Sequence, residues 1–266
     1  MLTLVVGLPA GSSASRPLLI VASPAVKDVV EALGRAFERM NPAVRVQVAV
    51  DTSLDLRRTI AAMESRGTFF IESGPIHLVA PGGDELITRL EQKYYVLPDT
   101  TVTYATEHLV LIAPEALVDA PSSFESLTVS GNVRIAIADR TTRLGVETER
   151  VLRALRLAGS PTVRFDRANG TAGVLDHVLR GQADVGIVFG QDGVRMQDRV
   201  RILARAPADL YQPIPHSMAM ERYCPDRALC AEFLRFVTSP EAQAIVKRLG
   251  YGPGTVSDVR PDPVRR

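Results

Sequence analysis

Leu18-Leu-Ile-Val-Ala22, followed at once by Ser23-Pro24 and then by Val26, Val29, Val30, Leu33 and Phe37, carries the first structural signal of the chain. Five consecutive apolar residues read as a strand buried on both faces, and the later positions recur at helical spacing. Ser23 before Pro24 marks the junction. A serine at the N-cap lends its hydroxyl to an orphan N–H, and proline at the first helical position has no N–H to satisfy. The result is a strand that runs straight into a helix.

Working outward, Asn41-Pro42 ends the helix, and Val44 to Val50 alternates as a strand. Asp51-Thr52-Ser53 caps a second helix with Leu56, Ile60 and Met63 on one face. Ile76 to Ala80 reads as a strand, and Gly82-Gly83-Asp84 leads into a helix through Leu86 and Leu90. Leu109 to Ala113 and Val133 to Ala138 are apolar strands, separated by loop with one helical turn near Phe124. A helix over Gly145–Leu157, a short strand at Val163–Phe165 and a helix from Thr171 follow. Strands then come at Asp184–Phe189, Val200–Leu203 and His216–Met220, and helices at Asp226–Val237 and from Ser239-Pro240 to Gly250. Residues 252–266 are rich in Pro and Arg and read as mobile. Alternating strands and helices predict an α/β fold with mostly parallel sheets covered on both faces. At ~150 residues per domain, 266 residues make about two lobes. Without a long linker between them, the chain must cross from one to the other more than once.

The composition is 46% hydrophobic and 23% charged, which excludes collagen-like and disordered chains. Thirty-one basic against thirty acidic residues leave a net charge of +1, so nucleic acid is not an expected partner. No apolar run reaches the ~20 residues of a membrane span. Residues 1–17, with apolar Leu2 to Leu8 before small residues around Ala14, read as the remnant of an export signal. Cys224 and Cys230, six positions apart, would in an exported protein either bond locally or remain thiols. Esterase-elbow, phosphate-loop and zinc-protease motifs are missing, and His77, His108, His177 and His216 read as structural. No catalytic group, cofactor or bound metal ion is expected.

The more informative pattern is a set of strand-to-helix junctions at small or hydroxyl residues: Ser23, Thr52-Ser53, Leu144-Gly145 and Gly170-Thr171. A helix start carries unpaired N–H groups and about half a positive charge. In an α/β sheet such starts gather at the carboxyl ends of the strands. Together they would make a neutral donor pocket suited to a small oxyanion.

With these features the chain resembles the periplasmic molybdate-binding proteins of ABC importers, within the type 2 periplasmic binding proteins. The matching stretches are Val21-Ala-Ser23, Asp51-Thr-Ser53 with Leu56-Arg-Arg-Thr-Ile60, Leu109-Val-Leu-Ile-Ala-Pro114 and Gly131 to Asp139. The most specific are Gly181-Gln-Ala-Asp-Val-Gly-Ile-Val-Phe-Gly190 and Phe236-Val-Thr-Ser-Pro-Glu-Ala-Gln243 with Leu249-Gly-Tyr251. The resemblance covers about residues 18–252. It implies two α/β lobes on a two-strand hinge: 18–103 with 212–252 as the first, 104–211 as the second, and 253–266 as a mobile tail. It implies a molybdate- or tungstate-like anion in the cleft, a membrane ABC permease as partner, a monomer, and a periplasmic or extracellular location.

Residue by residue, the resemblance carries ligand contacts onto Ser23, Ser53 (or Thr52 if the register slips), Leu144, Thr171 and Phe189. Phe189 departs from the family, which has a tyrosine there. A hydrogen bond to a charged ligand is worth ~1.5–3 kcal/mol, so its loss predicts affinity lower by about tenfold or more. Arg143-Leu144-Gly145 stands where the family often has Pro-Ala-Gly, and the bulk of Leu144 is expected to crowd the anion. Arg140, Arg143 and Arg167 read as solvated loop charges, the alternative being a bidentate clamp for a phosphate- or sulfate-like group. The alternative function keeps the fold but takes sulfate, phosphate or phosphonate, or an organic acid, or serves an accessory role without transport. Porphyrin-assembling deaminases share the architecture, but their cofactor cysteine motif has no match. A regulator's ligand domain would need a DNA-binding segment ahead of the first strand, where only 17 residues stand.

Overall fold

The computed structural model describes residues 15–51, 75–128, 132–157 and 163–255. In the first lobe β1 (Arg16–Ala22) lies between β2 (Val44–Val50) and β3 (Leu78–Ala80), parallel to both. That position explains its unbroken apolar run. Successive side chains point to opposite faces. Leu18, Ile20 and Ala22 join Leu33 and Phe37 of α1 (Lys27–Met40) in one core. Leu19 and Val21 join Ile87 and Leu90 of α2 (Asp84–Gln92) in another. Phe37 meets Phe233 edge to face at 5.1 Å, a geometry worth ~0.5–1.5 kcal/mol beyond burial.

The first sheet has the order β11-β4-β10-β3-β1-β2, completed by β4 (Val102–Glu107), β10 (Ile214–Met220) and β11 (Gly252–Thr255). The second has the order β7-β6-β8-β5-β9, from β5 (Leu109–Pro114), β6 (Val133–Ala138), β7 (Val163–Ala168), β8 (Val185–Phe189) and β9 (Val200–Arg205). Helices α3 (Arg143–Ala154), α4 (Gly170–Leu179) and α5 (Gly190–Arg195) follow β6, β7 and β8, while α6 (Arg227–Val237) and α7 (Pro240–Arg248) return to the first lobe. Each sheet contains a parallel block, β2-β1-β3 and β7-β6-β8. The remaining pairings are antiparallel, so the sheets are mixed rather than mostly parallel.

Every antiparallel pairing includes a strand that carries the chain between lobes. β4 passes through His108 into β5, and β9 returns through residues 206–213 into β10. A strand going out and a strand coming back are antiparallel by construction. They pair on both sides of the joint: Glu107 lies opposite Ile214, and Val110 opposite Arg205. The Ala206 N–H donates to the Leu109 carbonyl at 2.9 Å, carrying the ladder through the crossing. The expected break at 103/104 therefore shifts to His108, because Val102–Glu107 runs whole in the first sheet. The tail also differs from expectation. Pro253 and Thr255 pair with β4, so the fold continues to Thr255.

At the joint, burial first and the Arg205 charge second lower the His108 pKa to about 4. The folded chain thus favours neutral His108. Stability is full above pH 6.5, falls as the unfolded imidazole alone takes up a proton, and finishes falling near pH 4. Urea unfolding between these values should show that slope, and His108→Gln should flatten it.

Cys224 and Cys230 form a disulfide that ties the loop after β10 to α6. Alkylation of the denatured, unreduced protein should label neither, and reduction should lower stability by ~2 kcal/mol.

Candidate functional site

Two Ser-Pro junctions look alike in sequence and behave differently in the fold. Before α7, Ser239 Oγ accepts the Ala242 N–H at 3.3 Å, an ordinary cap. After β1, Ser23 makes no side-chain cap bond; the chain first takes a 3-10 turn over Pro24–Val26. The Ser23 hydroxyl is only 3% exposed with its residue and has no partner among the described residues. The expectation that it caps the helix is therefore corrected: the 3-10 turn takes the first N–H groups away from Oγ. A buried hydroxyl without a partner costs ~1–3 kcal/mol.

The backbone opposite Ser23 is bare. The Ser23 N–H donates to the Ala80 carbonyl at 3.0 Å, bringing the ends of β1 and β3 together. A Cβ at Gly82 would lie 2.4 Å from Ser23 Oγ. Gly82 and Gly83 have φ of +70° and +94°, the region open to glycine at little cost. The Gly83 N–H donates to His216 Nδ1 at 3.1 Å, which places the ring hydrogen on Nε2. His216 Nε2 lies 3.3 Å from Glu107 Oε1, which also accepts from Gln191 Nε2 at 2.7 Å. All three side chains are buried. Gln191 belongs to the second lobe, so this polar chain runs from there, through both crossing strands, to the turn beside Ser23.

In the second lobe the junctions stand at the carboxyl ends of the parallel strands. After β6, Thr142 Oγ1 accepts the Gly145 N–H at 3.0 Å and donates to the Asp139 carbonyl at 2.8 Å. A Cβ at Gly145 would sit 2.0 Å from that carbonyl, so the turn closes only around glycine. Leu144 is 3% exposed and its side chain packs into the second core. The expected crowding of the anion by Leu144 is thus corrected, since its bulk turns inward; its first-turn N–H has no partner within the helix. Thr171 is half-buried in the first turn of α4, with its hydroxyl near Asp192. Burial raises the Asp192 pKa, against the pull of Arg195 and this hydroxyl. Phe189 is the N-cap residue of α5, its ring packed at the margin of the core. Thr52 and Ser53 lie outside the described residues.

The three arginines near these loops are engaged by carboxylates. Arg140 reaches Glu149 at 2.9 and 3.0 Å, and Arg167 reaches it at 2.6 Å. The two guanidinium groups hold the Glu149 carboxyl below its usual range. Arg143 lies 3.5 Å from Glu147. A clamp built from them would have to break these pairs. Sequence reasoning noted Gly82-Gly83 only as a helix start and missed Asp192, Arg195 and the Glu107–His216 contact. The glycine pair at a strand end was the available signal for the first; nothing local signals the others.

Two lobes of mixed sheet on a paired double crossing, with helix starts gathered at the strand ends, define the type 2 periplasmic binding protein fold. The family model of the bacterial extracellular solute-binding proteins matches residues 18–252, and the chain belongs to that family. It is 23% identical over 258 residues to the molybdate-binding protein ModA of Haemophilus influenzae, covering 94% of each chain. It is 22% identical over 245 residues to ModA of Mycobacterium tuberculosis, covering 91% of this chain and 87% of the relative. Among solved structures, a substrate-binding domain assigned to a molybdenum ABC transporter of Clostridium difficile aligns with a TM-score of 0.76. Its identity is 21%, over 90% of this chain and 99% of that one. The periplasmic molybdate-binding protein of Azotobacter vinelandii aligns with a TM-score of 0.58 and 22% identity, over 88% and 98%.

Gly145→Ala should force the Asp139 turn apart and destabilise the protein by ~1–3 kcal/mol, read as a lower Tm.

Proposed function

We propose that this protein captures a tetrahedral oxyanion of the molybdate or tungstate kind between its lobes and presents it to a membrane ABC permease from outside the cytoplasm. The observation that carries this reading is the buried, unpartnered Ser23 hydroxyl facing the bare Gly82-Gly83 turn. A donor of that kind suits an acceptor-only guest. The relatives named above that bind molybdate, and the family's extracellular role, support the same assignment.

In this reading Ser23 Oγ and the Leu144 N–H hold the anion from opposite lobes. Thr171 contributes the backbone N–H of a helix start. Ser53, with Thr52 beside it, completes the set from the first lobe. Phe189 supplies an apolar wall where a phenolic donor would otherwise stand. The charge of the ligand is met by helix-start N–H groups, because the nearby arginines are already paired. Selectivity then rests on cavity size and donor geometry, and closure of the lobes removes the anion from water.

Isothermal titration with molybdate, tungstate, sulfate and phosphate tests the assignment. Molybdate and tungstate should bind and raise the Tm, with sulfate and phosphate weaker. Ser23→Ala should weaken binding by about tenfold or more. No heat and no thermal shift with any of the four anions would overturn it.

A further inference from the structure

We propose that Arg195 is the clasp between the lobes that sets how long a captured anion is held, and that Asp192 is its positioning residue. The proposal rests on the solute-binding reading above and adds to it the residues that govern release.

The geometry begins at α5. Gly190 and Gly250, from different lobes, meet backbone to backbone: a Cβ on Gly190 would lie 2.3 Å from the Gly250 carbonyl, and one on Gly250 2.6 Å from the Gly190 carbonyl. The Gly190 N–H donates to the carbonyl of His108, in the crossing itself. The start of α5 is therefore the bearing on which the second lobe touches the first. Arg195 stands at the other end of α5, about 7 Å away along the helix axis.

From there its guanidinium forks. Nη1 lies 3.1 Å from Asp192 Oδ1 in the same helix, and Nη2 lies 3.1 Å from Asp28 Oδ2 in the first turn of α1. A planar guanidinium is suited to holding two carboxylates at once. The contact with Asp28 joins the lobes; the contact with Asp192 does not. A rotation about the crossing strands that opens the cleft separates Arg195 from Asp28 and leaves Asp192 in place. Asp192 has 16% of its side chain exposed and stands near Thr171, a helix start assigned to the anion. Asp28 follows Ser23 by five positions in the first lobe.

Arg195 and Asp28 are 56% and 60% exposed, so each can be changed without disturbing a core, and their attraction is open to screening by salt. The test is stopped-flow release of molybdate, followed by tyrosine fluorescence. Asp28→Asn and Arg195→Gln should each speed release by about two- to fivefold with the Tm unchanged. The double variant should be no faster than either single one, and Asp28→Glu should retain wild-type release. Added salt should speed release from the wild type and not from the double variant. Asp192→Asn should speed release partway by freeing Arg195. In a second arm that needs no ligand, small-angle scattering should show the ligand-free double variant as a wider particle than the wild type. Wild-type release rates and salt dependence in both single variants, or additive effects in the double variant, would overturn the clasp. Should the wild type bind no anion, the functional reading fails, and the scattering alone decides: equal radii of gyration overturn the clasp.

Discussion

Two segments of this chain leave one sheet and enter the other side by side, hydrogen-bonded to each other before and after the crossing, and the way the two lobes are joined depends on that pairing. A single strand between lobes would let them swivel freely. A paired ribbon resists twisting and permits bending. Glu107 opposite Ile214, Ala206 bonded to Leu109 and Val110 opposite Arg205 keep the ladder nearly continuous through the joint. The same requirement decides the sheet type. Parallel pairing is retained where βα units stack, and antiparallel pairing takes over where strands must go out and return.

The site proposed between the lobes is built from what neighbouring groups leave over. Carboxylates hold Arg140, Arg143 and Arg167, and Thr142 occupies the Gly145 N–H. Ser23 is left with a buried donor and no acceptor among the described residues, beside a turn in which a side chain at Gly82 would meet its Oγ. A neutral pocket of this kind attracts an anion through oriented dipoles, and these need no rearrangement when charge arrives. Fixed positive side chains would instead hold their own counterions.

Around that pocket the polar side chains of the joint are linked across the lobes. Gln191 reaches Glu107, His216 lies against Glu107 and accepts from Gly83, and Gly83 adjoins the Ser23 turn. The Gln191–Glu107 bond joins the lobes directly, while His216 Nε2 and Gln191 Oε1 have no hydrogen-bond partner among the described residues. The short helix α5 supplies the second lobe's share of these contacts. It lies beside the crossing, where small rotations produce small displacements.

Much of this was legible in the residues. Leu18–Ala22 before Ser23-Pro24, the parity of Val44–Val50 and the cap at Ser239-Pro240 specify local elements, because hydrophobic period and capping chemistry act within a few positions. The apolar run Asp184–Phe189 was legible as β8, while the short helix α5 after it was not read. β4 was not read, since Val102–Glu107 mixes polar and apolar residues and is fixed as a strand by β10 and β11 on either side. The short strand β11 was hidden in a Pro- and Gly-rich stretch for the same reason. Sequence by itself determined those strands, helices and caps whose causes lie within one or two turns of chain. Tertiary structure alone decided that Ser23 keeps a free hydroxyl while Ser239 does not, that Leu144 turns inward, and that Arg195 meets Asp28 across 167 positions, because each depends on which distant atoms the fold brings within a few ångströms.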